Sequence, residues 1–460
     1  MSAVAVIGAG MSGLACAHRL TEAGIACDVY ERWPGLGGQA ATIDVGGGLL
    51  LERYYHYLFT SDREIIGLCD QLGLAETLER HPSSAAIALG GRIWSFNGAL
   101  DLLRFAPLPP VTRLRMGLAL LKLQLGGSDL ADYEAETAKA WIERNMGTPA
   151  WEQVWGPLMR GKFGERAESI SMAWIWDKVN RRRNLREGEA RQEMFIHPRQ
   201  SFEPIFRGLA EIIEAGGGRV MIDRPAAAVV ADGNGLAVAP GAAGSFRRGL
   251  DPRKFERDGE ALAYEAVVCC VPNDTFIQLL DPELSQRLGA EYIGRLESIE
   301  YFTALNLLLE LERPLTKHFW VNVADRQCPF VGLIEHTNFV GTHNTAGRVF
   351  SHVSNYLPAG DPLLDLEPDE LLDRYEQGLT ILQPAYERSW VRNRWLFREP
   401  AGQPIVDVGY RQRLPPRQTT VPGLLLVNTT QIYPMDRGTN YAVRDGESAA
   451  GEVLELLAVG

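Results

Sequence analysis

The sequence has few cysteines and no long apolar run. Six cysteines occur among 460 residues, and none forms a CxxC pair. This usage is typical of reduced core thiols and argues against a disulfide framework. No apolar stretch approaches the roughly 18 residues that span a bilayer, and the N-terminal residues lack the basic segment of a signal peptide. These absences predict a cytoplasmic protein with no transmembrane segment.

Positively charged residues are fewer than negatively charged ones. Lys and Arg number 46 against 58 for Asp and Glu, a net charge of −12 that repels a phosphate backbone and predicts no nucleic-acid partner. Apolar residues make up 46% and charged residues 23%, close to ordinary globular values. There is no HExxH and no Cys/His cluster at metal spacing, so the motifs predict no metal site. What remains is an enzyme or a binding protein of roughly two to three domain-sized units.

The first forty residues carry the most informative motif. A short β-branched run at 2–7 precedes Gly8, Gly10 and Gly13, then a helical pattern, then a second strand that ends in Glu31. Gly8 permits a tight turn, Gly10 leaves room for a pyrophosphate, and Gly13 lets the helix lie close to the sheet. The N–H groups at the start of that helix can hold phosphates, and Glu31 is placed for a ribose. The pattern predicts a dinucleotide site.

A second glycine pair follows this motif. Gly37 and Gly38 come after Arg32 and are followed by Gln39. Together with the first motif, this segment resembles the FAD-binding flavoproteins of the amine oxidase and protoporphyrinogen oxidase type, to which UDP-galactopyranose mutase is also related. In that family the glycine pair lets the backbone touch the FAD phosphates. The family often has Arg after the glycines, so Gln39 removes one expected phosphate contact.

Two further segments match the family in the same order. In the family, the stretch equivalent to 423–430 runs along the ribityl chain, and the helix beginning near Thr439 points its N-terminus at the flavin pyrimidine. That helix end would stabilise the negative charge of the reduced flavin. The family usually has an acidic residue facing the ribityl chain, whereas this chain offers Asn428 and Thr430. In the middle of the chain, Ala226 corresponds to the backbone that pairs with the adenine.

The resemblance implies an α/β fold with a Rossmann-like (GR2-type) FAD-binding domain, discontinuous over residues 1–80, 200–285 and 405–460. Residues 81–199 and 286–404 would form a mixed α+β substrate domain. The FAD would be bound non-covalently, because the C-terminal flavin segment contains no cysteine. The implied FAD contacts are Gly8, Gly10, Met11, Ser12, Gly13, Glu31, Arg32, Gly37, Gly38, Gln39, Ala226, Asn428, Thr429, Thr430, Gly438, Thr439, Asn440 and Val443.

The substrate half offers fewer signals. The resemblance places the Tyr/His-rich turn at 52–57 close to the flavin ring, where His56 could donate to flavin N5 or O4 or act as a general base. The alternative is a structural histidine in an aromatic cluster. An arginine triplet at 181–183 could clamp a phosphate or carboxylate, or could be a solvated helix face. The candidate substrate contacts are Tyr55, Trp176, Arg182, Trp395, Tyr410 and Tyr433.

The segment 111–125 is apolar and basic, which is compatible with a membrane surface or a tunnel for a lipid-like substrate. Its apolar residues occupy most of the helix circumference, so a buried core helix is the favoured prediction. Peripheral membrane contact stays open as the alternative.

The predicted function is an FAD-dependent oxidoreductase, in which flavin N5 takes a hydride from a C–N or C–C bond of a small organic substrate. No second strand–GxGxxG–helix unit is present, so the sequence lacks a dedicated NAD(P)H domain. The electron acceptor stays open. Two alternatives also stay open: a non-redox sugar isomerase resembling UDP-galactopyranose mutase, and an isoprenoid desaturase or reductase.

Overall fold

The computed structural model describes residues 3–126, 129–181, 186–187, 192–233, 235–248 and 251–459. Its helices are α1 (Met11–Glu22), α2 (Arg63–Gln71), α3 (Ala99–Arg104), α4 (Pro110–Leu125), α5 (Leu130–Glu134), α6 (Ala138–Asn145), α7 (Thr148–Ala150), α8 (Gly156–Phe163), α9 (Met172–Arg181), α10 (Glu203–Ala215), α11 (Asn273–Leu279), α12 (Pro282–Glu297), α13 (His336–Val340), α14 (Pro368–Leu382), α15 (Tyr410–Arg413) and α16 (Thr439–Val459). None of these helices, within the described residues, has the length and apolarity needed to cross a membrane.

Most strands are short, and the three longest lie in the second half of the chain. They are β1 (Val4–Ile7), β2 (Cys27–Tyr30), β3 (Thr42–Asp44), β4 (Leu50–Glu52), β5 (Leu58–Phe59), β6 (Leu78–Pro82), β7 (Ala85–Leu89), β8 (Arg92–Ser95), β9 (Arg186–Glu187), β10 (Gln192–Pro198), β11 (Arg219–Met221), β12 (Ala226–Asp232), β13 (Gly235–Pro240), β14 (Leu262–Tyr264), β15 (Ala266–Cys269), β16 (Tyr301–Leu311), β17 (Trp320–Val323), β18 (Gly332–Glu335), β19 (Val349–Leu357), β20 (Val391–Pro404) and β21 (Leu424–Leu426).

A five-stranded parallel sheet in the order β11-β2-β1-β15-β21 carries the dinucleotide motif. Both faces are covered, which is why β1 is apolar at every position. Val4 and Val6 pack in the core shared with α1, α10 and α16, whereas Ala5 and Ile7 pack against β12, β13, α11 and α12. The α/β class with a Rossmann-like sheet is confirmed, and its strands come from all three segments assigned to the FAD domain.

The second large sheet has seven strands in the order β20-β16-β19-β18-β17-β7-β8 and is mainly antiparallel. Helix α14 packs on it through Leu371, Tyr375 and Leu379. Helices α3 to α9 form a separate core. The domain boundary predicted at residue 80 falls inside β6, which pairs with β10, so the two halves share a small sheet at this point.

Helix α4 corrects the prediction of a buried core helix. It buries Thr112, Met116, Ala119 and Leu123 on one side. The opposite side is an exposed outer stripe, which consists of Val111, Leu114, Leu118, Leu121 and Leu125, each between 48% and 70% exposed. The prediction was wrong because leucines lie on both sides of the helix, and composition cannot tell which side meets the core.

Candidate functional site

The turn between β1 and α1 has the conformation that its glycines predict. Gly8 has φ 104°, and a Cβ there would lie 2.7 Å from the carbonyl oxygen of Cys270. A Cβ on Gly13 would lie 1.9 Å from the Gly8 carbonyl oxygen, so only glycine lets α1 lie this close to the turn. Gly10 is the N-cap of α1 and no side chain caps it. The N-terminus of α1, which includes Met11 and Ser12, can therefore receive an anion.

A second loop completes a glycine cradle formed by Gly10, Gly37 and Gly38. The Gly37 N–H donates to the Ala9 carbonyl oxygen at 2.9 Å, and Gly10 and Gly37 form a parallel bridge. A Cβ on Gly38 would lie 3.0 Å from the Gly10 Cα. The cradle is therefore lined by backbone, and its shape fits a pyrophosphate in the way that a Gly-rich nucleotide turn requires.

Glu31 lies beside this cradle at the end of β2. Its Oε2 accepts from the Ala9 N–H at 2.7 Å and its Oε1 accepts from the Trp33 N–H at 2.8 Å. Burial raises the pKa of Glu31, and the two backbone donors partly oppose that shift. Each carboxylate oxygen retains a lone pair that a ribose hydroxyl could use. The backbone of Arg224 bridges to Glu31, which brings Ala226 at the start of β12 close to the predicted ribose position.

Arg53 supplies a charge that the sequence analysis missed. Its guanidinium donates to the Gly38 carbonyl oxygen at 2.5 Å and lies 5.2 Å from the centroid of the Trp33 ring. Its buried Nε has no hydrogen-bond partner among the described residues. Gln39, which stands where the family often has Arg, donates instead to the Ala401 carbonyl oxygen at 3.1 Å. No spacing rule links Arg53 to the glycine pair, so no sequence pattern predicts this contact.

The side chains predicted to contact the ribityl chain form hydrogen bonds within their own part of the protein. The Asn428 Oδ1 accepts from the Thr430 N–H at 3.1 Å and from the Thr430 hydroxyl, while its Nδ2 donates to the Val271 carbonyl oxygen at 2.9 Å. Thr429 begins this turn. The side chains of Asn428 and Thr430 are therefore already engaged, and the backbone of 428–430 is what the turn can offer to a ligand.

The side chains at the beginning of α16 are likewise used in contacts within the protein. Gly438 precedes the helix and Thr439 is its first residue. The Asn440 side chain caps α2, accepting from the Ile65 N–H at 3.2 Å and donating to Glu64 at 2.6 Å. Val443 is fully buried. The side chains here fix the position of α16, and its N-terminus is left as the group that could face a flavin.

A cavity lies between the turn at 53–57 and the seven-stranded sheet. Its lining includes Gln39, Tyr55, His56, Asn306, Tyr356 and Arg437. The His56 Nδ1 is 2.8 Å from the Tyr54 carbonyl oxygen, so Nδ1 carries the proton and Nε2 is the acceptor. Burial lowers the pKa of His56. His56 is therefore a neutral imidazole with a basic nitrogen, within a cavity lined by polar groups.

Arg437 gives the cavity a fixed positive charge. It donates to the Tyr356 hydroxyl at 3.2 Å and also to the Gln403 side chain. Burial opposes its charge, but Tyr356 and Asp436 outweigh this effect and raise the pKa of Arg437. Tyr55 completes this polar wall, with its hydroxyl 3.2 Å from the Ser354 Oγ. Arg437 and Tyr356 were not among the predicted site residues, because no family motif singles them out.

The structure separates most of the predicted substrate contacts from this cavity. Trp176 stacks on Tyr133 with ring centroids 5.9 Å apart, and Trp395 packs on Phe350 at 6.4 Å. Both contacts belong to apolar cores. Tyr55 is the predicted aromatic that does line the cavity.

Tyr410 and Tyr433 likewise pack against each other, at 5.4 Å, and the Tyr410 hydroxyl donates to the Thr430 carbonyl oxygen at 2.9 Å. Arg182 lies outside the described residues. Its neighbour Arg181 is paired with Asp62 at 2.7 Å, so the first arginine of the triplet is engaged in an internal ion pair.

The chain is similar in sequence to a family of known proteins and to individual members of known function. The model of the family described as flavin containing amine oxidoreductase matches residues 11–454. Protoporphyrinogen oxidase 2 of Arabidopsis thaliana is 25% identical over 174 residues, which are 37% of this chain and 34% of that protein. The 15-cis-phytoene desaturase of Synechococcus elongatus is 23% identical over 335 residues, covering 68% of this chain and 66% of that protein. The chain thus matches about a third of the length of the first relative and about two thirds of the second.

Solved structures show the same fold. The crystal structure of reduced UDP-galactopyranose mutase superposes with a TM-score of 0.74 at 16% identity, covering 99% of this chain and 96% of the other. At this identity the likeness concerns the fold.

Proposed function

Because the chain belongs to the flavin-containing amine oxidoreductase family, we propose that it binds FAD non-covalently and oxidises a C–N or C–C bond of a small organic substrate. The observation that carries the proposal is the glycine cradle with Arg53 at its edge. A backbone-lined cleft, a helix N-terminus and a guanidinium together fit a pyrophosphate. Glu31 and Ala226 extend this site toward a ribose and an adenine.

Different residues of the chain would bind the cofactor, accept a proton and orient the substrate. When bound, the flavin supplies a hydride acceptor at N5. Gly10, Gly38 and Arg53 would hold the phosphates, and the N-terminus of α16 would stabilise negative charge on the flavin. His56 Nε2 would accept a proton from the substrate, and Arg437 would orient an anionic or polar substrate group within the cavity.

A panel of substrates tests the proposed oxidation. The flavin-loaded protein is mixed without oxygen with amines, porphyrinogen-type tetrapyrroles or polyene hydrocarbons, and the oxidised flavin band near roughly 450 nm is followed. We expect one class to bleach the band, and His56→Gln to slow the bleaching without removing the flavin. If no class bleaches the band, while a nucleotide sugar is converted by the pre-reduced protein, the redox proposal is wrong.

The non-redox isomerase remains the second candidate. The Tyr/His-rich turn, which supports it together with the arginine triplet, lines the cavity. The arginine triplet supports it less, since Arg181 is paired with Asp62. The same panel separates the two functions.

We also propose that the protein is cytoplasmic and touches an anionic membrane surface through α3 and α4. All six cysteines are free, as expected in a reducing compartment. Leu100 and Leu103 of α3 are 67% and 54% exposed, and they extend the outer stripe of α4. Exposed apolar patches of this kind mark interaction surfaces.

Charge favours a membrane as the partner of this patch. Helix α4 has no Asp or Glu but contains Arg113, Arg115 and Lys122, although the whole chain has a net charge of −12. Arg115 and Lys122 are exposed. An apolar stripe flanked by cations matches the interface of a bilayer that contains anionic lipids.

Vesicle flotation tests this contact. We expect the protein to float with vesicles that contain roughly one third anionic lipid and less with neutral vesicles. Leu114→Gln with Leu118→Gln should abolish flotation, whereas Ile222→Gln, at an isolated residue 46% exposed, should not. Absence of flotation, or self-association that the double variant removes, would contradict the membrane proposal.

A further inference from the structure

Three side chains that can bind a metal meet in the interior behind the cavity. Glu52 ends β4, His197 lies in β10, and His336 begins α13. One ligand atom of each lies within 4.8 Å of the other two. The three residues are 0%, 5% and 4% exposed. They are far apart in the sequence, which is why no local metal motif revealed them.

The geometry of this cluster differs from that of a simple ion pair. The Glu52 Oε1 and the His197 Nε2 are 3.3 Å apart. Yet neither atom, nor the Glu52 Oε2, makes a well-aligned hydrogen bond within the part of the chain that the structure describes, although His197 and the Ser201 side chain lie close to Glu52. An imidazolium that paired with the carboxylate would aim its N–H at the oxygen. Here the two groups are close without being aligned.

A shared metal ion accounts for both features. Zinc bonds to nitrogen and oxygen of about 2.0–2.1 Å in a tetrahedral site place neighbouring ligand atoms about 3.3 Å apart. The ligand lone pairs then point at the ion and not at each other. A buried carboxylate without a well-aligned hydrogen bond is costly, and a divalent cation would offset that cost.

We propose that Glu52, His197 and His336 bind one divalent transition-metal ion. Two imidazoles and one carboxylate suit Zn²⁺, whereas Mg²⁺ and Ca²⁺ prefer all-oxygen sites. The ion would join β4, β10 and α13. Because Arg53 directly follows Glu52, it would also fix the strand end that carries Arg53 to the glycine cradle.

The side chains around these three residues fit such a site. His352 lies next to the cluster, with its ring centroid 6.0 Å from that of His336. The Asn306 Nδ2 is 2.9 Å from the His352 Nδ1 and donates to the Arg53 carbonyl oxygen at 2.7 Å. The cluster is thus linked to the cavity through polar side chains, as is usual around metal ligands.

Metal content tests the proposal. The purified flavin-loaded protein is incubated with Zn²⁺, desalted, and analysed by elemental mass spectrometry. We expect about one Zn²⁺ per wild-type chain, because Glu52, His197 and His336 form a single site. The control His343→Gln should bind the same amount, since His343 is exposed and is not one of the three ligands. Glu52→Gln and His336→Gln should each retain at least tenfold less.

A melting curve gives a readout independent of activity. A strong chelator should lower the Tm of the wild type and of His343→Gln but leave the Tm of His336→Gln unchanged. Less than about a tenth of an ion per wild-type chain would overturn the proposal, whether or not the variants fold. Equal Zn²⁺ content in wild type and folded variants would overturn it as well. Neither result depends on the proposed oxidation.

Discussion

Gly38 and Gly90 have almost the same backbone conformation, with φ 58° and 63°, but different surroundings. A Cβ on Gly38 would meet the Gly10 Cα at 3.0 Å, whereas a Cβ on Gly90 meets nothing within 4 Å. Alanine at either position costs about 1 kcal/mol of backbone strain. Only Gly38→Ala should also fill the glycine cradle.

We therefore expect Gly38→Ala to raise the Kd for FAD by at least about tenfold, or about 1.4 kcal/mol, while Gly90→Ala leaves it unchanged. Flavin fluorescence during titration of the apoprotein measures both. Equal affinities in the two variants would contradict a phosphate site at the cradle.

Arg53 permits a second test of the phosphate site. A charge-assisted hydrogen bond to phosphate is worth about 1.5–3 kcal/mol, so Arg53→Met should weaken FAD binding by about tenfold to a hundredfold. Arg63→Met, at an exposed arginine at the start of α2, should have no effect on the same titration. If Arg53→Met binds FAD like the wild type, Arg53 does not replace the missing arginine at position 39.

Asp177 makes the stability depend on pH. Burial raises the pKa of Asp177 to about 6 against the opposing attraction of Lys178 and Arg181, and its Oδ2 has no hydrogen-bond partner among the described residues. The unfolded chain ionises this group at lower pH than the folded chain does. The wild type therefore loses stability as pH rises from about 4 to about 6, and the loss is complete above that range.

Asp177→Asn should remove this dependence. Relative to the variant, the wild type should lose about 1 kcal/mol more between pH 5 and pH 8. Urea denaturation at both values measures the difference. A wild-type stability that, relative to the variant, stays constant or rises between pH 5 and pH 8 would contradict the raised pKa.

At the scale of elements, Asp436 joins α8 and α9 to the loop before α16. It accepts from the Lys162 Nζ at 2.7 Å and from the Lys178 Nζ at 2.6 Å. Although burial opposes its ionisation, the two lysines hold the pKa of Asp436 well below its usual range. Asp436→Asn would remove the carboxylate that the two half-buried ammonium groups share.

We expect Asp436→Asn to lower the free energy of unfolding by about 2 kcal/mol, less than a fully buried pair because the lysines are partly exposed. Asp369→Asn is the control, since Asp369 pairs with Arg388 and Arg394 at the surface and should change little. Denaturant unfolding compares the two. Equal effects would show that the Asp436 contacts behave as surface ion pairs.

The elements also show which parts of the site the sequence could predict. The turn at Gly8 to Gly13 depends on neighbours close in the chain, so its pattern was readable. The cavity brings His56, Asn306 and Arg437 together from three distant segments, and no local pattern records such a meeting. The prediction for helix α4 was wrong for a different reason. Leucines lie on both sides of this helix, and the sequence pattern does not show which side packs against the core.

At the scale of the whole molecule, the parallel sheet and the order of its segments followed from the dinucleotide motif and the family resemblance. The boundary at residue 80 did not, since β6 runs across it and pairs with β10. A division into two domains remains a prediction. Limited proteolysis that releases either half intact would support it.

The absorbance spectrum of the purified protein, followed by acid precipitation, is the most direct test of non-covalent FAD binding. We predict an oxidised flavin band near roughly 450 nm, about one flavin per chain, and FAD that passes entirely into the acid supernatant. A colourless protein that gains no band on addition of FAD would contradict the proposed cofactor site. Yellow colour that stays with the precipitate would contradict non-covalent binding.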